Sequence, residues 1–432
     1  MIRWAVRTVL GLALLAILCA ATYWAVNAFD EDLTAEAREL LQPPVLAAAG
    51  DDNAWPVGHA FRDLPESKPL EGWLRWHALK EPPLGQASGM QPTLQWLLIM
   101  RAPLYSKYRK VRALPRYGET TWPTEPMVGL PLDTALIDGA GLALAEIALA
   151  GLDGRLEDAV AEIERESLYH RRVLAGSRTL LGKLLACAAI IRDMSMVSDL
   201  LDMHGEKLRP WRERLMRVAS PLPREDLDLS AVFALEAHFT AQMLLKYRSV
   251  ILKQNKAFNE YREHRVRAWE AFGYRPQATV NEFARRYAAY REVSKATYEK
   301  VWAGGSFPEP QSAPAKASWR LVNPTGDALL QNETFVGYRY EARARDISAL
   351  VALVGLQVAL TLDEQKRRAF FQQAGRDRVV VLDGPCKPRA TFDPATSTIR
   401  YKPSDTTGAI GEFAKRFGGD FAVPAGPRRG AK

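Results

Sequence analysis

The chain has 432 residues, of which 47% are hydrophobic, 25% charged and 9% aromatic. This is the composition of an ordinary folded protein, and it excludes a collagen-like, disulfide-framework or wholly disordered chain. The net charge of +8 is modest, and the length suits about two or three domains.

The N-terminal residues predict a membrane anchor. Residues 8–28 contain no charged residue. As a helix rising about 1.5 Å per residue they would span about 30 Å, the thickness of a bilayer's hydrocarbon core. We therefore expect the lipid bilayer to be a partner of this segment, with Trp4, Tyr23 and Trp24 as anchors at the membrane interfaces.

The charges that flank this segment predict its orientation. Arg3 and Arg7 precede it and the acidic run 30–32 follows it, which favours a cytoplasmic N-terminus and a periplasmic body on the bacterial inner membrane. A signal peptide cleaved near residues 19–21 is the alternative. Both interpretations place the rest of the chain outside the cytoplasm.

Two further apolar segments are expected to be core helices. Residues 132–152 include Asp133, Asp138 and Glu146, and charges in the middle of a spanning helix are costly in lipid. Residues 347–362 are too few to cross a bilayer comfortably, so we expect a buried helix there. The sequence thus predicts a single span.

The chain divides by composition into five predicted regions. Residues 1–29 form the cytoplasmic tip and anchor, and 30–131 a stalk and proline-rich wrapping segment. In the latter we expect a short helix at 31–42 that continues from the anchor. Beyond residue 81 we expect irregular chain, interrupted by one apolar helix near 94–100.

The third region, residues 132–303, is predicted to be an irregular antiparallel helical bundle, because apolar residues recur at spacings of three and four without a longer repeat. We expect helices at 133–150, from 154 into the 170s, from 177 to about 203, at 226–256 and at 280–302. A capping box formed by Thr279 and Glu282 would begin the last of these.

The C-terminal part is predicted to be a small α+β unit. Residues 304–326 are rich in Gly, Ser, Pro and Ala and would form a linker to the unit 327–432. In that unit we expect a helix at 345–360, a second helix capped by Thr361, and strands at 378–382, 390–392 and 398–401. The overall fold class is therefore mainly α.

No catalytic motif of real specificity is present. The chain lacks HExxH, CxxC and GxSxG, and residues 176–183 depart from a phosphate-binding loop in spacing and in Leu184. The pairs Glu166/His170 and Glu260/His264 are interpreted as surface ion pairs on helices. We therefore assign no catalytic, metal or cofactor residues, and an enzyme is the less favoured hypothesis.

The cysteines leave one alternative open. Cys187 lies in apolar helical sequence and is expected to be a small buried hydrophobic residue, whereas Cys386 lies in a predicted turn. A disulfide between them is compatible with an oxidising periplasm, but sequence does not establish that they are close.

The most unusual stretch is residues 246–301, which hold 13 Lys and Arg against 6 Glu, interleaved with aromatic residues. One interpretation is a patch for an anionic lipid, glycan or protein partner; the other is aromatic residues in the core with solvated arginines. Nucleic acid is not expected outside the cytoplasm. The candidate patch residues are Arg262, Arg265, Arg267, Arg285, Arg286 and Arg291.

Residues 393–401, Asp-Pro-Ala-Thr-Ser-Thr-Ile-Arg-Tyr, are similar to an Asp-Pro-aromatic-Ser/Thr-Gly ending found in proteobacterial envelope proteins. Those proteins have one N-terminal span and a mostly helical periplasmic body. Ala395 replaces the aromatic residue and Ser397 replaces the glycine. The resemblance implies a place in the envelope and no particular activity.

Three functional hypotheses follow from these patterns. The leading one is a membrane-anchored periplasmic interaction or scaffold protein that binds other envelope proteins. The second is an envelope hydrolase acting on glycan or peptide through a site assembled from scattered residues. The third is a binder of anionic lipid or polymer through residues 246–301.

Overall fold

The structure is a computed structural model that describes residues 2–43, 50–59, 83–120, 134–257, 273–302, 323–332, 337–385, 387–404 and 420–426. Over these residues the chain is mainly helical, which confirms the predicted class. The helices are α1 (Ile2–Ala28), α2 (Ala35–Leu40), α3 (Ala54–His59), α4 (Pro83–Ser88), α5 (Gln91–Met100), α6 (Ala102–Ala113), α7 (Thr134–Leu152), α8 (Leu156–Gly176), α9 (Leu180–His204), α10 (Arg212–Val218), α11 (Ser230–Ala257), α12 (Pro276–Trp302), α13 (Pro324–Asn332), α14 (Gly337–Leu362) and α15 (Glu364–Asp377).

Three of the four prolines in the described part of 81–131 lie at the start of a helix instead of preventing one. Pro83 is the first residue of α4, and α5 and α6 each carry a proline in their first turn. A proline is tolerated there because the first N–H groups of a helix have no intrahelical acceptor. The prediction of irregular chain is therefore wrong over 83–88 and 102–113, whereas the predicted apolar helix near 94–100 is confirmed as part of α5.

The main apolar cluster is built by α7, α8, α9 and α14. On α8 it uses Ala159, Val160 and Ile163, which share one face, and short turns make α7, α8 and α9 antiparallel neighbours. Residues from both sides of the predicted linker belong to this cluster. Most of that linker, 303–322, lies outside the described residues, so the domain boundaries stay predictions.

Burial distinguishes the apolar helices from one another. In the described part of the chain, one helix, Tyr340–Leu362 of α14, is long and apolar enough to span a membrane, but it is almost wholly buried in the body. The prediction of a buried helix at 347–362 is confirmed. The apolar stretch Gly11–Ala25 of α1 is shorter and its side chains are exposed.

The junction after α1 is held by the start of α12. Asp30 accepts hydrogen bonds from the backbone N–H groups of Gln277 (2.7 Å) and Ala278 (2.9 Å). This satisfies two N–H groups that a helix start leaves without a partner. The chain is not helical from 29 to 34, so α2 does not continue α1 as predicted; Thr34 caps α2.

A second set of bonds strengthens this junction. Asn281 accepts from the backbone N–H of Thr34 and donates to the carbonyl of Asp32, each at 2.9 Å. The predicted capping box is wrong, because α12 begins at Pro276 and the Thr279 hydroxyl donates to the carbonyl of Arg275. Its cap comes from residues almost 250 positions earlier in the chain.

Four antiparallel strands in sequential order form a small sheet near the C-terminus: β1 (Val379–Val381), β2 (Arg389–Asp393), β3 (Thr398–Tyr401) and β4 (Phe421–Pro424). The first three agree with the predicted strands, and β4 was not predicted. The inward side chains Phe392, Ile399 and Phe421 join the main apolar cluster. The sheet therefore packs on the helical body.

The turn between β2 and β3 explains the resemblance at residues 393–401. Asp393 accepts hydrogen bonds from the N–H of Ala395 (3.0 Å) and the hydroxyl of Thr396 (2.7 Å). Ser397, which stands where the similar endings have glycine, has a φ of +50°. This left-handed conformation strains any residue with a Cβ.

We expect Ser397→Gly to raise the free energy of unfolding by about 0.5 kcal/mol, because relief of left-handed strain exceeds the added entropy of the unfolded chain. Urea denaturation of the full chain in detergent measures this. Ala395→Gly is the matched control: its φ is not positive, and it should lower stability. Destabilisation by both substitutions would contradict the account of this turn.

Candidate functional site

A buried ionic network joins α6, α8 and α9. At its centre the guanidinium of Arg112 contacts the carboxylates of Glu162 (2.5 Å) and Glu166 (2.6 Å). The side chains of Arg112 and Glu166 are only 4% and 0% exposed. The network consists of Tyr105, Tyr108, Arg112, Glu162, Glu166, His170 and Asp193.

Two tyrosines of α6 extend this network. The Tyr108 hydroxyl donates to Glu166 at 2.5 Å, and the Tyr105 hydroxyl lies 2.9 Å from Glu162 and also contacts Glu146. Because the tyrosines and Arg112 follow one another at spacings of three and four, one face of α6 supplies all three groups. This face therefore satisfies the carboxylates that α8 buries.

His170 connects the network to α9. Its Nδ1 lies 2.8 Å from Asp193 and its Nε2 lies 3.8 Å from Glu166. The prediction that Glu166 and His170 form a surface ion pair is wrong: both are buried, and the main partner of His170 is Asp193. Among the described residues, the second oxygen of Asp193 has no hydrogen-bond partner.

The pKa values in the network reflect a balance of burial and charge. Burial alone would lower the pKa of His170, but the charge and hydrogen bond of Asp193 outweigh it and raise the pKa. Burial raises the pKa of Glu166, although His170 and Arg112 oppose this. His170 is therefore biased toward the imidazolium form.

This network is placed to hold helices together and not to meet a solute. Side chains with almost no exposed surface cannot contact a substrate without local opening. Among the described residues, no three His, Cys, Asp or Glu side chains converge as a metal site would require. We therefore interpret the network as the element that fixes α6 and α9 against α8.

An open cleft beside α12 is the stronger candidate for binding. It has two lobes of about 360 and 600 Å³. Tyr287 and Arg291 of α12 line both, so the lobes are neighbours on either side of these two residues. The α2 lobe is lined by residues of α2, α11 and α12; the α14 lobe by residues of α11, α12, α14 and the turn before α11.

Both lobes of the cleft carry charges of both signs. The α2 lobe includes Glu36, Glu39, Arg178 and His238. The α14 lobe adds these charged residues to the shared Arg291: Arg224, Glu225, Asp228, Glu292, Lys295 and Glu341.

Aromatic rings accompany these charges in the α14 lobe. Phe233 and Tyr290 meet edge to face, with their ring centroids 6.2 Å apart. Mixed charges beside aromatic rings suit a ligand that carries both charges and apolar groups, which is the chemistry of a peptide segment.

The predicted patch residues do not form one site in the described structure. Of the three that are described, Arg285 and Arg286 are ion-paired with Glu282, and Arg291 lines the cleft. Arg262, Arg265 and Arg267 lie outside the described residues, as do Glu260, His264 and Cys386.

Three of the five described aromatic residues of this stretch, Tyr274, Phe283 and Tyr287, are buried, as the second interpretation expects. Tyr247 and Tyr290 are half-buried. Of the predicted interface anchors, Tyr23 and Trp24 are exposed on α1, and the side chain of Trp4 is outside the described part.

Cys187 packs against the main apolar cluster, and burial raises its pKa to about 12, so its thiol is a poor nucleophile.

The network itself was missed by sequence analysis, although a signal was present. Glu162, Glu166 and His170 are spaced by four, and the apolar face of α8 passes through the neighbouring Ile163 and Ser167. Ionisable residues that border an apolar face predict either a solvated edge or a buried network. Only the partner helix, α6, decides between the two.

Comparison with known protein families, with curated proteins and with solved structures finds no significant match to this chain. Function is therefore argued from the geometry of the described residues.

We expect Arg112→Met to destabilise the protein by about 3–5 kcal/mol, because it removes the buried guanidinium that Glu162 and Glu166 share. Chemical denaturation of the full chain in detergent measures the loss. Arg109→Met is the matched control on the same helix: Arg109 also pairs with a glutamate but is 46% exposed, and it should cost less than about 1 kcal/mol. Equal losses would contradict a special role for the buried network.

The proton on His170 should make stability depend on pH. Because its folded-state pKa is raised, its stabilising effect is fully present below the ordinary value of 6.5 and is lost as pH rises through the folded-state pKa. Unfolding free energies are measured from below pH 6.5 upward for the native chain and for His170→Gln. The native chain should be the more stable at low pH, and the difference in unfolding free energy should shrink as pH rises. An unchanged slope in His170→Gln would contradict the assignment.

Proposed function

We propose that this chain is a membrane-anchored interaction protein of a bacterial cell envelope. In this proposal α1 crosses the inner membrane once, with the N-terminus in the cytoplasm. The helical body lies in the periplasm and binds a peptide segment of another envelope protein in the cleft. The observation that carries the proposal is the junction of Asp30 with α12, because it links the end of α1 to the helix that lines both lobes.

The character of α1 supports the anchor. This helix has 27 residues, which at about 1.5 Å each is long enough to cross a bilayer. Leu14 and Ile17 are 70% and 66% exposed. A row of large apolar side chains facing away from the body is stable in lipid and unfavourable in water.

The junction supports a cleft held close to the membrane surface. The chain from Ala28 to Asp30 can extend about 7 Å at most. Asp30 is bonded to the start of α12, and Asp32 and Thr34 are bonded to Asn281 one turn further along. A partner bound in the cleft would therefore be held at a fixed position relative to the anchor.

We expect Leu14→Arg combined with Ile17→Arg to abolish stable insertion, since each arginine near the middle of a span costs about 2.5–3.5 kcal/mol. The measurement is the fraction of the chain that stays in membranes after alkaline carbonate extraction. Leu14→Ala with Ile17→Ala is the matched control and should remain membrane-bound. Retention of the double arginine variant would refute the anchor.

A photo-crosslinking amino acid at Ala288, which lines the α2 lobe, tests the cleft in living cells. We expect a discrete protein adduct that is lost when Arg291→Glu is added and kept when Arg285→Glu is added. Arg285 is the matched control because it is an arginine of the same helix engaged with Glu282 outside the cleft. An adduct insensitive to Arg291→Glu would count against binding in the cleft.

One observation favours a second candidate, an envelope hydrolase acting on glycan or peptide. The α14 lobe is lined by the carboxylates of Glu225, Asp228, Glu292 and Glu341, and hydrolases use paired carboxylates as acid and base. Turnover of envelope glycan or peptide by the purified full chain, abolished by Glu292→Gln with folding intact, would decide for the hydrolase over the interaction protein.

A further inference from the structure

The α2 lobe of the cleft extends along α12. Helix α2 begins beside Asn281 of α12, because the Asn281 side chain accepts a hydrogen bond from the backbone N–H of Thr34 at 2.9 Å. Arg291 also lines this lobe and lies ten residues further along α12, or about 15 Å at the rise of an α-helix. The start of α2 and Arg291 are therefore at opposite ends of the lobe.

The acidic side chains of the lobe come from α2. Glu36 lies in the first turn of this helix, where hydrogen bonds from its own backbone N–H and from the Thr34 hydroxyl lower its pKa. Glu39 follows three residues later and lines the same lobe. The part of the lobe beside the start of α2 is therefore negative.

Arg178 enters the lobe at the other end, near Arg291. Glu236 of α11 accepts a hydrogen bond at 3.4 Å from the backbone N–H two residues after Arg178. Phe233, about one turn before Glu236, packs edge to face against Tyr290 with ring centroids 6.2 Å apart. Tyr290 directly precedes Arg291. These contacts place both arginines at one end of the α2 lobe, which both line.

Both guanidinium groups are open to a ligand. Arg178 and Arg291 are exposed, and in the described part of the chain neither side chain forms an ion pair or hydrogen bond with another residue. Arg285 and Arg286 of the same helix differ, because Glu282 binds both of them. A planar guanidinium can bind a carboxylate through two parallel hydrogen bonds. Two open arginines at one end of a cleft therefore suit a carboxylate.

The space between the two ends suits a peptide. Both facing helices contribute alanines to the lobe, Ala231 and Ala234 from α11 and Ala284 and Ala288 from α12. Because alanine has no side chain beyond Cβ, the helices leave a lobe of about 360 Å³, within the range of about 300–1,000 Å³ that is usual for ligand sites. A ligand here meets cations at one end and carboxylates at the other, which favours a peptide over a ligand with negative charge alone.

We propose that Arg178 and Arg291 form a carboxylate-binding site within the cleft. The site holds one carboxylate of the bound peptide, which is either its C-terminal carboxylate or the side chain of an Asp or Glu residue. This inference rests on the proposed function and names the group of the partner that the cleft recognises. It also gives the bound segment a direction, since the carboxylate lies at the end of the lobe away from the start of α2.

The test uses peptides selected by the purified full chain in detergent. Two phage libraries of random peptides are compared, one that displays a free C-terminus and one that displays each peptide inside a coat protein. Selected peptides are synthesised with a free C-terminus, with a C-terminal amide, and with each Asp or Glu replaced by Asn or Gln. Fluorescence anisotropy measures the Kd of each form.

We expect one of these neutralised forms to bind about tenfold more weakly or worse, because it loses a charge-assisted hydrogen bond to arginine. Loss with the amide identifies the C-terminus, and loss with Asn or Gln identifies a side chain. Arg178→Gln and Arg291→Gln should each weaken binding of the carboxylate form by a similar factor and barely affect the neutral form. Arg285→Gln is the matched control and should leave both forms unchanged, because Arg285 is engaged with Glu282.

A further variant separates this inference from the proposed function. Ala288→Trp fills the α2 lobe and should block any peptide that binds there. Binding that Ala288→Trp blocks, but that is equal for all peptide forms, means that the carboxylate site is wrong and the peptide-binding cleft stands. Carboxylate-dependent binding that survives both arginine substitutions also overturns the site. If neither library yields a peptide that binds, the proposed function and this inference are both wrong.

Discussion

The hydrogen bonds between Asp30 and the start of α12 are the constraint on which the arrangement of this protein depends. A helix start presents unsatisfied N–H groups and a partial positive charge, and a carboxylate satisfies both. Here the carboxylate comes from the residues directly after α1. One local interaction thus fixes the end of α1 beside the start of α12 and near the cleft that α12 lines.

The acidic run 30–32 has two roles in this account. In the proposed topology its charges follow the span on the periplasmic side. In the fold, Asp30 caps α12 and the carbonyl of Asp32 accepts from Asn281. A change at Asp30 would therefore affect folding as well as orientation in the membrane. The sequence pattern alone indicates only the role in orientation.

The buried ionic network stabilises the other half of the body in a different way. A buried ion pair adds little net stability relative to apolar residues of the same shape, but it is very unfavourable when one partner is missing. Arg112 of α6 must therefore meet Glu162 and Glu166 of α8, which fixes the register of the two helices. His170 and Asp193 extend the same requirement to α9.

Periodicity predicted the long helices well because their cores are apolar and local in sequence, as in α7, α8 and α9. It failed where a distant residue decides the structure: Asp30 rather than Thr279 caps α12, and α6 turns the apparent surface pair of Glu166 and His170 into a buried one. Proline occurs both in the first turn of a helix and at places where a helix is interrupted. For this reason the sequence pattern favoured irregular chain at Pro83, Pro92 and Pro103, which in fact lie at helix starts. The cleft could not be predicted, since its walls come from helices far apart in the chain.

The measurement that tests the central claim most directly is the compartment of the body. Two fusions to the C-terminus of the full chain are compared in cells: alkaline phosphatase, which forms its disulfides only outside the cytoplasm, and β-galactosidase, which is active only inside it. The account predicts an active phosphatase fusion and an inactive galactosidase fusion, with both chains in the membrane fraction. The reverse pattern would contradict it, because the cleft would then face the cytoplasm.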